Sequence, residues 1–159
     1  MMVDPISLAV AGGVIALVGG LIGSSIGIAN AGCAGAATLS EDPGQFRNVI
    51  VLASLPMTQT FYGLIVLILV IERVLPSLQA MPAVGGNGFV VLVIGIVVAC
   101  TEGLSAIYQG SVCASGISLL PKTRGGILTG AMMLAVFVEL IGVLGLVFTI
   151  MALTMLGLF

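Results

Sequence analysis

The chain has 159 residues, of which 60% are hydrophobic and only 6% charged: six acids, four bases and no histidine, for a net charge of −2. Soluble domains carry about 25% charged residues, so too little polar surface is present to cover a water-soluble globule. Disorder and coiled coil are excluded on the same ground, nucleic acid is excluded as a partner for want of a basic patch, and with neither His nor Trp the chain cannot build a Ser-His-Asp triad, a His metal site or an aromatic stacking platform. An all-α integral membrane protein surrounded by lipid remains.

The charges fall in clumps at Asp4, at Glu41, Asp42 and Arg47, at Glu72 and Arg73, and at Lys122 and Arg124. Cutting at these clumps leaves apolar stretches at roughly 6–39, 46–72, 88–120 and 126–157. Each exceeds the ~20 residues that a bilayer span requires. None shows the ten-residue alternation of a membrane barrel strand. Four transmembrane helices are therefore expected. The first lacks a basic n-region and is too long for a cleaved leader, so it is expected to persist as a helix.

Between the first and second helices lies Ser40-Glu41-Asp42-Pro43-Gly44, and between the third and fourth lie Pro121 and Gly125-Gly126. These short breaks make two hairpins, residues 1–79 and 80–159, within one structural domain. The longer connection from Pro76 to Gly88, with Pro82 and Gly85-Gly86, links them. Arg47, Lys122 and Arg124 lie on the hairpin-loop side and Arg73 on the other. The loops are thus expected in the cytoplasm, with both termini outside. Cys33, Cys100 and Cys113 lie within helices without CxxC spacing, and read as buried apolar filler rather than a disulfide frame or metal site.

The halves repeat one another. Gly27-Ile28-Ala29-Asn30 aligns with Ala106-Ile107-Tyr108-Gln109, and Tyr62-Gly63-Leu64 with Leu144-Gly145-Leu146, placing Met57 opposite Glu139. Small residues recur every four positions at Gly19, Gly23, Gly27, Ala31 and Gly35, and again at Ala106, Gly110 and Ala114. Such stripes let helix backbones approach closely in lipid. The pairing is either within one four-helix bundle or, the reading favoured here, along a crowded inner wall built from the first and third helices of many copies.

Only Glu102 and Glu139 lie deep in apolar sequence. A mid-membrane carboxylate costs about 2.5–3.5 kcal/mol or more and is rare without a task. Glu139 falls about 20 Å into the fourth helix at 1.5 Å per residue. Thr58 and Gln59 reach a similar depth in the second helix, and Gln109 lies nearby in the third. Pro56 lacks an N–H, so the Leu52 carbonyl loses its usual partner, and carbonyls near the break, Leu55 included, can tilt toward a ligand. One carboxylate, two amide oxygens, a hydroxyl and a carbonyl suit a small monovalent cation better than a divalent one. The number of oxygens favours Na+ over H+. The alternative is that Thr58 and the glutamines are hydrogen-bonding glue between helices, and Glu139 a neutral structural acid. Glu102, two turns before Gln109, either lines an ion path or an assembly axis, or is a neutral acid bonded to Ser105 or Thr101.

Leu55-Pro56-Met57-Thr58-Gln59, Tyr62-Gly63-Leu64, Gln109-Gly110 and Glu139 together resemble the proteolipid (c or K) subunit of V-type and A/V-type rotary ATPases, most nearly the bacterial sodium-translocating branch. The resemblance spans nearly the whole chain. It implies a homo-oligomeric rotor ring with the first and third helices inside. Na+ would be held by Leu55, Thr58, Gln59, Gln109 and Glu139, with Tyr62 locking Glu139. A stator subunit would supply an Arg, and central-stalk subunits would dock on the loops. The setting implied is a bacterial plasma membrane. Glu102 departs from the family pattern, where a small or apolar residue is expected. No GxxxxGK[ST] phosphate loop is present, so a non-catalytic subunit without organic cofactor is expected. The competing readings are a proton-carrying ring, and a small secondary transporter with a midplane Glu.

Overall fold

The computed structural model describes residues 4–80 and 86–159, so part of the expected linker, Pro82 and Gly85 included, lies outside the described residues. Among the described residues, four helices are long and apolar enough to cross a membrane: α1 (Pro5–Glu41), α2 (Pro43–Ala80), α3 (Asn87–Ser118) and α4 (Leu128–Met155). At 1.5 Å per residue each exceeds the ~30 Å hydrocarbon core.

Local chemistry sets the ends. Asp4 caps α1 by accepting from the Ile6 and Ser7 amides, with Pro5 in the first turn. Hydrogen bonds from Ser7 hold the Asp4 carboxyl below its ordinary range. At the other end of α1 the Asp42 amide donates to the Thr38 carbonyl at 2.9 Å. The Asp42 side chain then accepts from the Gly44 amide and from Gln45 Nε2, so one residue closes α1 and opens α2. In the second hairpin, Leu120–Thr123 forms a short helical turn, after which Arg124 and Gly125 turn left-handed with φ 51° and 82°. Gly125 lies against Asn48 Nδ2 and Gln45 Oε1, so both hairpin loops sit at one end of the bundle.

The second helix continues past the expected end at 72. A π-helical turn at Val70–Val74 carries Glu72 and Arg73, and a last α-helical segment runs from Leu75 to Ala80. Pro76 does not stop it, because a proline in the first turn of a helical segment gives up an N–H that has little intrahelical use there.

The first and third helices run parallel and backbone to backbone. A Cβ on Gly12 would lie 2.6 Å from the Val91 carbonyl, one on Gly95 would fall on the Gly12 backbone, and Gly110 faces the Gly27 backbone. The antiparallel α2 packs on another face of α1, with Gly20 against the Gln59 carbonyl and Gly63 against that of Ala16. Likewise α4 packs antiparallel on α3, with Gly116 against Ala131 and Gly142 against Glu102. Most of the small-residue stripe is thus used within the chain, where the α1 and α3 of the expected inner wall meet backbone to backbone. Gly32 alone of the α1 glycines has no neighbour within 4 Å of a built Cβ.

Buried apolar residues form a cluster near the hairpin loops around Leu52, Ile117 and Leu120, and another at the opposite end around Val74, Val91 and Leu153. Between them lies a polar layer containing Gln59, Glu102, Ser105 and Gln109, all buried. The cysteines divide otherwise than expected. Cys113 is buried, but Cys33 and Cys100 are exposed, since they lie on faces of α1 and α3 turned away from the chain's other helices.

Candidate functional site

The break at Pro56 shapes one wall of the polar layer. Leu55–Met57 forms a 3-10 turn, in which the Leu55 amide donates to the Leu52 carbonyl. The Leu52 carbonyl therefore does not lose its partner, as the proline suggested, because the tighter turn supplies a donor three residues on. The Leu55 carbonyl instead accepts from Thr58 Oγ1 at 3.2 Å. A second acceptor of the same hydroxyl is Gln59 Oε1, also at 3.2 Å.

From Gln59 the network crosses to α3. Gln59 Nε2 donates to Gln109 Oε1 at 2.8 Å and to Ser105 Oγ at 3.1 Å. Gln109 Nε2 then reaches α4, donating to Glu139 Oε2 at 3.2 Å. Tyr62 Oη closes the chain from α2 by donating to Glu139 Oε1 at 2.9 Å. Leu55, Thr58, Gln59, Gln109, Glu139 and Tyr62 thus belong to one continuous network drawn from three helices.

The arrangement leaves the two glutamines fully buried, while Glu139 and Tyr62 are half-buried near the outer face. The carboxylate receives two hydrogen-bond donors, one on each oxygen. Amide oxygen and nitrogen are nearly equivalent in shape, so turning over the Gln109 amide would present its oxygen to Glu139, provided that the Gln59 Nε2 now donating to Gln109 Oε1 moves aside. The set then offers carboxylate, amide, hydroxyl and backbone oxygens in one place. Among the described residues no group of three or more His, Cys, Asp or Glu gathers; a single carboxylate with neutral oxygens matches one positive charge.

Two further links between helices go beyond the expected site. Ser105 accepts from Gln59 and donates to the Val138 carbonyl at 3.0 Å, tying α3 to α4 below Glu139. Its spacing of four residues from Gln109 is the sequence signal that could have found it. The Thr60 hydroxyl donates to Ser24 Oγ at 2.9 Å, joining α2 to α1.

Glu102 is buried and neither carboxylate oxygen has a hydrogen-bond partner. The expected bonds to Ser105 or Thr101 are absent because both hydroxyls are committed elsewhere: Ser105 to Val138, and Thr101 to the Val97 and Val98 carbonyls. Glu102 also points toward α4 rather than an axis lined by α1 and α3, where Cys100 and Leu104 are exposed.

Comparisons with known proteins point one way. The family model for the C subunit of ATP synthase matches residues 11–70. The chain is 35% identical over 155 residues to the A-type ATP synthase subunit K of Methanocaldococcus jannaschii, an alignment covering 96% of this chain and 64% of that protein. It is 33% identical over 126 residues to the V-type sodium ATPase subunit K of Enterococcus hirae, covering 79% of this chain and 77% of that one. This chain therefore spans less than two thirds of the Methanocaldococcus jannaschii relative.

Proposed function

Because the chain belongs to the family of ATP synthase C subunits, as a c/K proteolipid of the A- and V-type ATPases, we propose that it is a rotor-ring subunit that carries Na+ on Glu139 and couples ion passage to rotation. The observation that carries this reading is the network Leu55–Thr58–Gln59–Gln109–Glu139–Tyr62, which gathers one carboxylate with neutral side-chain and backbone oxygens at one level of the bundle. A relative described as a subunit of a sodium ATPase supports the same ion.

In this mechanism the cation is cargo. Glu139 supplies the charge, and Gln59, Gln109, Thr58 and the Leu55 carbonyl supply neutral oxygens. An ion so held neutralises the carboxylate, and the loaded site crosses lipid at little cost. Tyr62 steadies the carboxylate from the α2 side. A cationic residue on a stator, for which Arg is suited by its permanent charge, would compete for Glu139 and release the ion. ATP chemistry belongs to other subunits, and this chain acts as a non-catalytic carrier. The loop ends carrying Arg47, Lys122 and Arg124 are placed in the cytoplasm, where stalk subunits dock, with the termini outside.

Carbodiimide modification of Glu139 at fixed pH tests the ion. Sodium is expected to protect wild type, and protection is expected to vanish in Gln109→Ala and Thr58→Ala. Absence of protection at high sodium would overturn the Na+ reading in favour of a proton-carrying ring.

A further inference from the structure

Glu102 is the one buried side chain among the described residues whose oxygens lack any hydrogen-bond partner. A carboxylate ionised in such a place would cost several kcal/mol unless a positive charge accompanied it. Its surroundings meet that need in a particular way. Two glycines of α4, three residues apart, let the oxygens of α3 lie against the α4 backbone, where any side chain would collide with them. A Cβ on Gly142 would lie 2.6 Å from Glu102 Oε2 and 3.4 Å from Ser105 Oγ. A Cβ on Gly145 would lie 2.7 Å from Thr101 Oγ1 and 3.4 Å from Glu102 Oε1. Each carboxylate oxygen is therefore paired with a hydroxyl oxygen opposite a missing side chain.

Both hydroxyls direct their protons away, Thr101 to the Val97 and Val98 carbonyls and Ser105 to that of Val138. They offer Glu102 lone pairs rather than donors. Four oxygens with one negative charge and no hydrogen between them form the chemistry of a small-cation site. A single proton would serve only one of the two hydroxyls. Thr101 and Gly145 also line an apolar groove of about 460 Å³ between α3 and α4, together with Val97, Ile141 and Leu144, so the cluster lies directly behind the wall of an open cleft. Ser105 connects it to Gln59 and hence to the network around Glu139.

We propose that Glu102, with the Thr101 and Ser105 hydroxyls, forms a second monovalent-cation site that takes Na+ at the α3–α4 seam. The inference rests on the reading that the assembly carries sodium, and the experiment separates the two. Sodium bound per chain is measured by equilibrium dialysis with radioactive sodium on the detergent-solubilised assembly, for wild type, Glu102→Gln and Glu139→Gln, each checked for unchanged oligomer size. About two ions per chain in wild type, and about one in either variant, are expected. One ion in wild type, retained in Glu102→Gln and lost in Glu139→Gln, overturns the second site and leaves the first standing. One ion lost in Glu102→Gln but retained in Glu139→Gln supports the second site and removes the first. No bound sodium in any of them overturns both. If Glu102→Gln does not assemble, Thr101→Val decides: sodium affinity weakened at one of two sites, with protection of Glu139 unchanged, supports the proposal, and two unaltered sites or a single site overturn it.

Discussion

Glu139 is met by Gln109 on one oxygen and by Tyr62 on the other, and these two donors differ in kind. Gln109 is fully buried and further anchored by Gln59, whereas Tyr62 is half-buried at the outer edge. A hydrogen bond to a charged group is worth about 1.5–3 kcal/mol. Tyr62→Phe is thus expected to raise the sodium needed for half-protection of Glu139 about tenfold, measured by carbodiimide labelling, with ring assembly intact. Unchanged protection would show that the Tyr62 bond plays no part in holding the ion. At this scale the sequence exposed much of the hydrogen-bonded network. Gln59, Gln109 and Glu139 stand out because polar side chains are costly at that depth. Ser105 stood out only as a candidate partner of Glu102 and not as a link to Gln59, since a serine in a helix can bond its own backbone and needs no distant partner. The isolation of Glu102 was illegible too: it depends on where the Thr101 and Ser105 hydroxyls send their protons.

Among the helices, the decisive contact is the close approach of α1 and α3. A Cβ at Gly95 would meet the Gly12 carbonyl, carbonyl carbon and Cα, all of them backbone and unable to yield. Overpacking a tight core typically costs about 1–3 kcal/mol, and two rigid helices faced with such a clash must separate. Gly95→Val is expected to reduce strongly the yield of assembled protein after mild detergent extraction, while Gly32→Ala, whose added methyl meets nothing within 4 Å, is expected to match wild type. Equal yields would show that the α1–α3 seam tolerates separation. The four-residue spacing of glycines in α1 announced close packing but not its partner. Two faces of α1 carry small residues, one for α3 through Gly12, Gly23 and Gly27 and one for α2 through Gly20 and Gly35. The course of α2 was equally hidden, because Pro76 reads as a stop in isolation yet falls at the start of a segment that follows a π-helical turn.

For the molecule as a whole, large apolar side chains are exposed on all four helices, among them Ile22 on α1, Phe61 on α2, Leu104 on α3 and Phe137 on α4. Lipid satisfies such faces on the outside, and copies of the same chain would satisfy the flanks of a closed ring. Extraction in mild detergent is expected to yield a discrete oligomer many times the 16.0 kDa chain. A species no larger than a dimer, under conditions that keep Glu139 reactive to carbodiimide, would count against the ring. Six per cent charge and four apolar stretches were enough to determine that the chain crosses a membrane four times as two repeated hairpins, because hydropathy and turn chemistry are properties of local sequence. The same composition marked Glu102 and Glu139 as the two acids within it. Only the tertiary structure decided that Glu139 stands in a network drawn from three helices while Glu102 faces two glycines across the α3–α4 seam. Which way a helix turns its faces, and which neighbour receives them, is set by packing between segments far apart in the chain.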